Sequence, residues 1–110
     1  MTAFSERERS FIEHHSELLY SKGVAEGDLD DVTIGSAMIM DDFKGDNLPE
    51  DWQPNEVQRM AVYSYCFGFQ EFWGDLIADP DTTPDEILTY ADIRDVVFSV
   101  QRKLLKLVVH

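Results

Sequence analysis

The stretch from Asn55 to Ala78 leaves this chain the fewest options. Met60, Ala61, Tyr63, Tyr65, Cys66, Phe67, Phe69, Phe72, Trp73, Leu76 and Ile77 follow one another so closely that, at 3.6 residues per turn, they clothe nearly the whole circumference of a helix. A helix that is apolar on every side is normally buried among other helices, and whatever is left uncovered is a patch awaiting a partner. Asn55 with Gln58 reads as its cap, and Glu56 suits the positive helix end. Gly68 and Gly74 each cost about 1 kcal/mol relative to Ala in a helix interior. The expected compensation is close approach of a neighbouring backbone.

Three further segments supply the cover. Ser5 with Glu8 forms a capping-box pattern, and Phe11, His15 and Leu18 follow at helical spacing, with Ile12 and Leu19 on an adjoining row. Gly23 suits the left-handed residue that ends a helix, so the first helix is predicted over 6–22. The second, over 29–43, rests on opposing signals. Leu29, Val32, Ser36, Ile39 and Phe43 make one stripe, yet Val32-Thr33-Ile34-Gly35 is poor helix-forming sequence. No second strand is available to pair with it, which favours helix. Residues 44–54 read as a polar loop broken by Gly45, Pro49 and Pro54. The turn Asp79-Pro80-Asp81-Thr82-Thr83 ends the third helix, predicted over 55–78. Thr83, Pro84 and Glu86 then cap a fourth over 84–108, whose stripe runs through Ile87, Tyr90, Ile93, Val97, Val100, Leu104 and Leu107, widened by Val96, Leu105 and Val108. Short loops favour antiparallel neighbours, so the expected fold is all-α, a compact four-helix bundle, with residues 1–110 as a single acidic helical domain.

Charge is the second constraint. The chain carries 22 Asp and Glu against 9 Lys and Arg, a net charge of -13. Ten acids fall between Glu26 and Glu56 against Lys44 alone, and seven more between Asp75 and Asp95 against Arg94. Such a field disfavours direct nucleic-acid binding and anionic membranes, and attracts a basic protein. The competing reading is that the acidity serves only solubility or a high-salt habitat. No apolar run approaches the ~18 residues of a membrane span, and the N-terminus lacks the pattern of a signal peptide. The single Cys66 fits a reducing, cytoplasmic setting.

Candidates for chemistry are weak. His14 and His15 lack helical partners for a metal: only Glu17 stands three residues from His14, and the terminal His110 is remote in sequence. Cys66 lies among aromatic residues, the setting of an inert thiol. The doublets Asp30-Asp31 and Asp41-Asp42 point about 100° apart on a helix and form no shared acid–base site. The run Asp28-x-Asp30-Asp31 lacks the Gly and Glu of a calcium loop, and Gly23-x-x-x-Gly27 leads to Asp28 rather than to a phosphate-binding Lys. No cofactor, metal or enzymatic activity is expected. The aromatic cluster of the third helix reads by default as core, with a ligand pocket or a dimer seam as alternatives.

The leading functional expectation is a non-enzymatic acidic inhibitor or binding protein that engages a basic, nucleic-acid-binding surface by charge mimicry, as phage-type blockers of restriction or CRISPR defence do. An immunity protein or antitoxin facing a basic toxin uses the same electrostatics. A small helical ligand- or metal-binding protein is the third reading, and a homodimer through the aromatic helix a secondary one. The residues expected to meet the partner are Asp30, Asp31, Asp41, Asp42, Asp46, Glu50, Asp51, Asp79 and Asp81. Trp52 is either an anchor among them or a lid folded back on the core.

Overall fold

The computed structural model describes residues 3–44 and 46–108, with side chains as far as Lys106. Gly45, His110 and the side chains of Leu107 and Val108 therefore lie outside the described residues. Four helices follow in order: α1 (Glu6–Glu26), α2 (Asp31–Phe43), α3 (Glu56–Ala78) and α4 (Pro84–Val108). Among the described residues there is no strand. The fold is the expected helical bundle, the second helix included. No helix among the described residues is long and apolar enough to cross a membrane.

The starts of the helices obey local chemistry. Ser5 Oγ accepts from the Glu8 N–H at 3.1 Å while Glu8 returns the bond to the Ser5 N–H at 2.7 Å. Asn55 and Gln58 exchange the same pair of bonds at 2.9 and 2.8 Å. Thr83 and Glu86 do so at 3.3 and 3.1 Å, ahead of α4. α2 opens two residues later than expected because Asp30, not Leu29, is positioned to cap: its carboxylate accepts from the Thr33 N–H at 2.9 Å.

The end of α1 differs from expectation. The helix runs through Gly23 and stops four residues later, where Gly27 adopts φ 74° and ψ 18°. The Gly27 N–H reaches the Val24 carbonyl and the Asp28 N–H the Gly23 carbonyl at 2.8 Å, a Schellman ending. Gly23 serves packing instead. A Cβ there would lie 2.1 Å from Thr33 Oγ1, so α2 crosses α1 against a bare backbone. Gly35 does the same on the other side, where a Cβ would meet that of Ala61 at 2.3 Å and the Val57 carbonyl oxygen at 2.9 Å. The segment that looked least helical is thus the one pressed between two neighbours, with Ser16 and Ser36 also fully buried. Gly68 and Gly74 behave differently: a Cβ at either would have nothing within 4 Å, contrary to the expected close approach.

The core gathers Phe11 and Ile12 from α1, Ile39 and Phe43 from α2, Val62, Tyr65 and Cys66 from α3, and Val96, Val97, Val100 and Leu104 from α4. Phe4, Leu48 and Trp52 close its edges. Leu18 faces water, because the buried row of α1 passes through Ile12, Ser16 and Gly23. No residue from Phe67 to Asp95 is buried. The outer half of the α3–α4 hairpin therefore extends past the core, consistent with a radius of gyration of 14.4 Å where about 13 Å is usual for a chain near this length.

Candidate partner-binding surface

The acidic residues singled out from the sequence are all exposed, but the structure distributes them over three sites. Asp30 and Asp31 open α2, and Asp41, Asp46, Glu50 and Asp51 lie at its other end. Thirteen residues of helix separate the two groups by about 20 Å at 1.5 Å per residue. Asp79 and Asp81 sit at the tip of the hairpin, the length of α3 away from the loop that precedes it. A hollow between α1 and α2 brings Glu26, Asp28 and Asp30 together beside Lys22.

Several of these carboxylates have work within the chain. The Asp30 carboxyl is held below its ordinary pKa by the Thr33 N–H and hydroxyl. Asp79 Oδ1 accepts from the Asp81 N–H at 2.9 Å and shapes the turn. Asp42 is the most committed: its Oδ2 accepts from Trp52 Nε1 and from Gln58 Nε2, both at 2.8 Å. One carboxylate thus ties the end of α2 to the following loop and to the first turn of α3.

Trp52 is consequently not an anchor standing free in an acidic loop. It is 5% exposed, its ring lies 5.7 Å from that of Phe4, and its N–H is satisfied by Asp42. An indole that finds both apolar cover and an acceptor has no reason to face water. The loop's freely exposed acids are Asp46, Glu50 and Asp51.

Compensating cations are scarce. Among the described residues two ion pairs form, Arg7 with Asp92 and Lys103 with Glu8. The second is embedded. Burial alone would push the Glu8 carboxyl up, but Lys103, the Ser5 N–H and the Ser99 hydroxyl outweigh it and hold the group below its ordinary value. Lys103 also donates to the Ala3 carbonyl at 3.0 Å, which fastens the N-terminal segment to α4.

The aromatic helix divides its residues unevenly. Tyr65 is buried, with Ser16 Oγ at 3.4 Å and the Ile12 carbonyl at 3.5 Å as outlets for its hydroxyl. Phe69 and Trp73 pack partly against the core, whereas Met60, Tyr63, Phe67 and Phe72 are 38–57% exposed. The default reading as core therefore holds for only part of the cluster. An open groove of about 460 Å³ runs between Met60, Tyr63 and Ser64 of α3 and Leu104 and Leu105 of α4.

Elsewhere, His15 lies half-buried between Phe11, with ring centroids 4.3 Å apart, and Phe69, at 4.6 Å. Its Nδ1–H donates to the Phe11 carbonyl at 2.9 Å, and burial draws its pKa below the ordinary value. Cys66 is fully buried and its thiol is pushed up by burial, so thiolate chemistry is suppressed. Among the described residues no three His, Cys, Asp or Glu side chains converge as a metal site. Comparison with protein-family models, with curated proteins and with solved structures finds no match for this chain.

Proposed function

We propose that the protein is a non-catalytic binding module whose acidic surface engages a basic protein, one whose own ligand is a nucleic acid or another polyanion. The observation that carries this reading is the uncompensated charge. Of 22 acidic residues, two find a cation within the chain among the described residues, while the carboxylates of the 46–51 loop and of the hairpin tip project into solvent. Carboxylate groups held about 20 Å or more apart on a helical frame suit an extended basic track better than a single small pocket. A phage-type inhibitor of nucleic-acid-binding defence complexes is the concrete form, and a neutraliser of a basic toxin obeys the same physics. The inert setting of Cys66, and a half-buried His15 flanked by aromatic rings, support a role without chemistry.

Affinity capture from cell lysate at low salt, eluted along a salt gradient, tests this. A basic nucleic-acid-binding protein released by moderate salt is the expected result, and its loss with the triple change Asp46→Lys, Glu50→Lys and Asp51→Lys localises the contact. These three residues are exposed and lie outside the helices, so helicity is expected to survive. Capture unaffected by salt or by the charge reversal overturns the reading.

A further inference from the structure

The exposed side of α3 carries a pattern that neither solubility nor the acidic surface explains. Val57, Met60, Ser64, Phe67 and Glu71 alternate at spacings of three and four, and all five are exposed. That is the spacing of a seam between two helices. Leu105 of α4 extends the patch across the groove. Side chains of this size present ~150–250 Å² when fully exposed, so the fractions seen for Val57, Met60, Tyr63, Phe67 and Leu105 leave on the order of 400 Å² of apolar surface. This is about half of the ~800 Å² that each partner contributes to a standard interface, near the usual apolar share.

We infer that this face of α3 joins a second copy of the chain in an antiparallel, two-fold arrangement. With the axis at the level of residues 65 and 66, Phe67 meets Ser64 of the second copy. That ring thereby faces a small residue. Charge selects the same orientation. At the end of the patch where α4 finishes, Arg59 lines the groove beside Glu56 and the exposed Arg102 and Lys106 lie on the last turns of α4, leaving that end net basic, while Glu71 and Asp75 lie toward the other. Antiparallel pairing sets the basic end of one copy against the acidic end of the other, whereas parallel pairing superposes like charges. The net charge of -13 on each copy opposes association at long range, so the dimer tightens as salt screens that repulsion. Binding of a basic partner to the acidic loops has the opposite salt dependence, and the two inferences can fail separately.

Sedimentation equilibrium from micromolar to hundreds of micromolar protein, in about 0.1 and 1 M NaCl, is the test. The expected mass rises from one copy of 12.7 kDa toward two, more steeply at high salt. Phe67→Glu is expected to keep its helical circular dichroism and stay monomeric. Ser64→Asp, at an exposed position of the same row, is expected to keep its helicity yet dimerise about tenfold more weakly or worse, because the added charge meets the second copy's Phe67 ring. A monomer at every concentration in high salt overturns the inference. So does a dimer whose affinity neither variant changes.

Discussion

Single atoms decide how the chain is held at two places. Asp42 Oδ2 serves two buried-side donors at once, so Asp42→Ala leaves the Trp52 indole N–H without an acceptor at the core edge. A loss of about 1–3 kcal/mol is expected in urea unfolding, and a smaller one for Asp42→Asn, which keeps one acceptor oxygen. His15 supplies a pH dependence. Its folded pKa lies below the unfolded value of 6.5, so the unfolded chain takes up a proton first as pH falls. The stability present above pH 6.5 is then lost as pH drops through the lowered folded value. Melting temperatures followed from about pH 7.5 downward are expected to decline, and His15→Leu to flatten the part of that decline above the carboxylate range. The ties that bind Asp42 and Trp52 were not legible in the sequence. Asp42 stood there as one of many acids in an acidic stretch, and only a contact spanning ten residues distinguishes it from Asp41.

At the scale of the helix, the capped beginnings of α1, α3 and α4 and the ends of α2, α3 and α4 were legible, while the end of α1 and the start of α2 were not. Ser5, Asn55 and Thr83 each bond within three residues of themselves, and local pairs of this kind declare themselves in any sequence. Gly23 misled because a glycine serves a helix end and a close crossing equally well, and only the position of Thr33 on another helix tells them apart. The two kinds of glycine give a paired expectation. Gly35→Ala drives a methyl against the Ala61 Cβ and the backbone of Val57, and is expected to destabilise by about 1–3 kcal/mol despite the better helix propensity. Gly68→Ala meets nothing in its own chain and is expected to stabilise the monomer by about 0.5–1 kcal/mol. Chemical denaturation of both variants at low protein concentration checks the contrast. The exposed half of the α3 aromatic cluster was hidden for a related reason. A helix apolar all round announces that it wants cover without saying how much its own chain provides.

For the molecule as a whole, the core is gathered toward one half. Buried side chains stop at Cys66 on α3 and resume at Val96 on α4, so the hairpin between them is held by half-buried contacts such as Trp73 against Tyr90, 5.3 Å between ring centroids. Amide exchange is expected to be faster by about tenfold or more over 70–92 than over 58–66 and 96–104. Uniform protection across α3 and α4 would show that the hairpin is stabilised by something besides the core. The chain's acidity acts at this scale too. With so few ion pairs among the described residues, screening of self-repulsion is expected to raise the melting temperature as salt increases, which circular dichroism can follow.

The division also means that the protein carries its own optical reporters. One of its two tryptophans, Trp52, is seated against Phe4 at the edge of the core, and the other, Trp73, lies on the outer hairpin beside Phe72 and Tyr90. Replacing either with Phe leaves a single indole, which reads the core edge in the case of Trp52 and the seat of the hairpin against the core in the case of Trp73. Where the two emission curves separate along a denaturant titration, the hairpin has loosened ahead of the core. Where they coincide, the bundle melts as one unit.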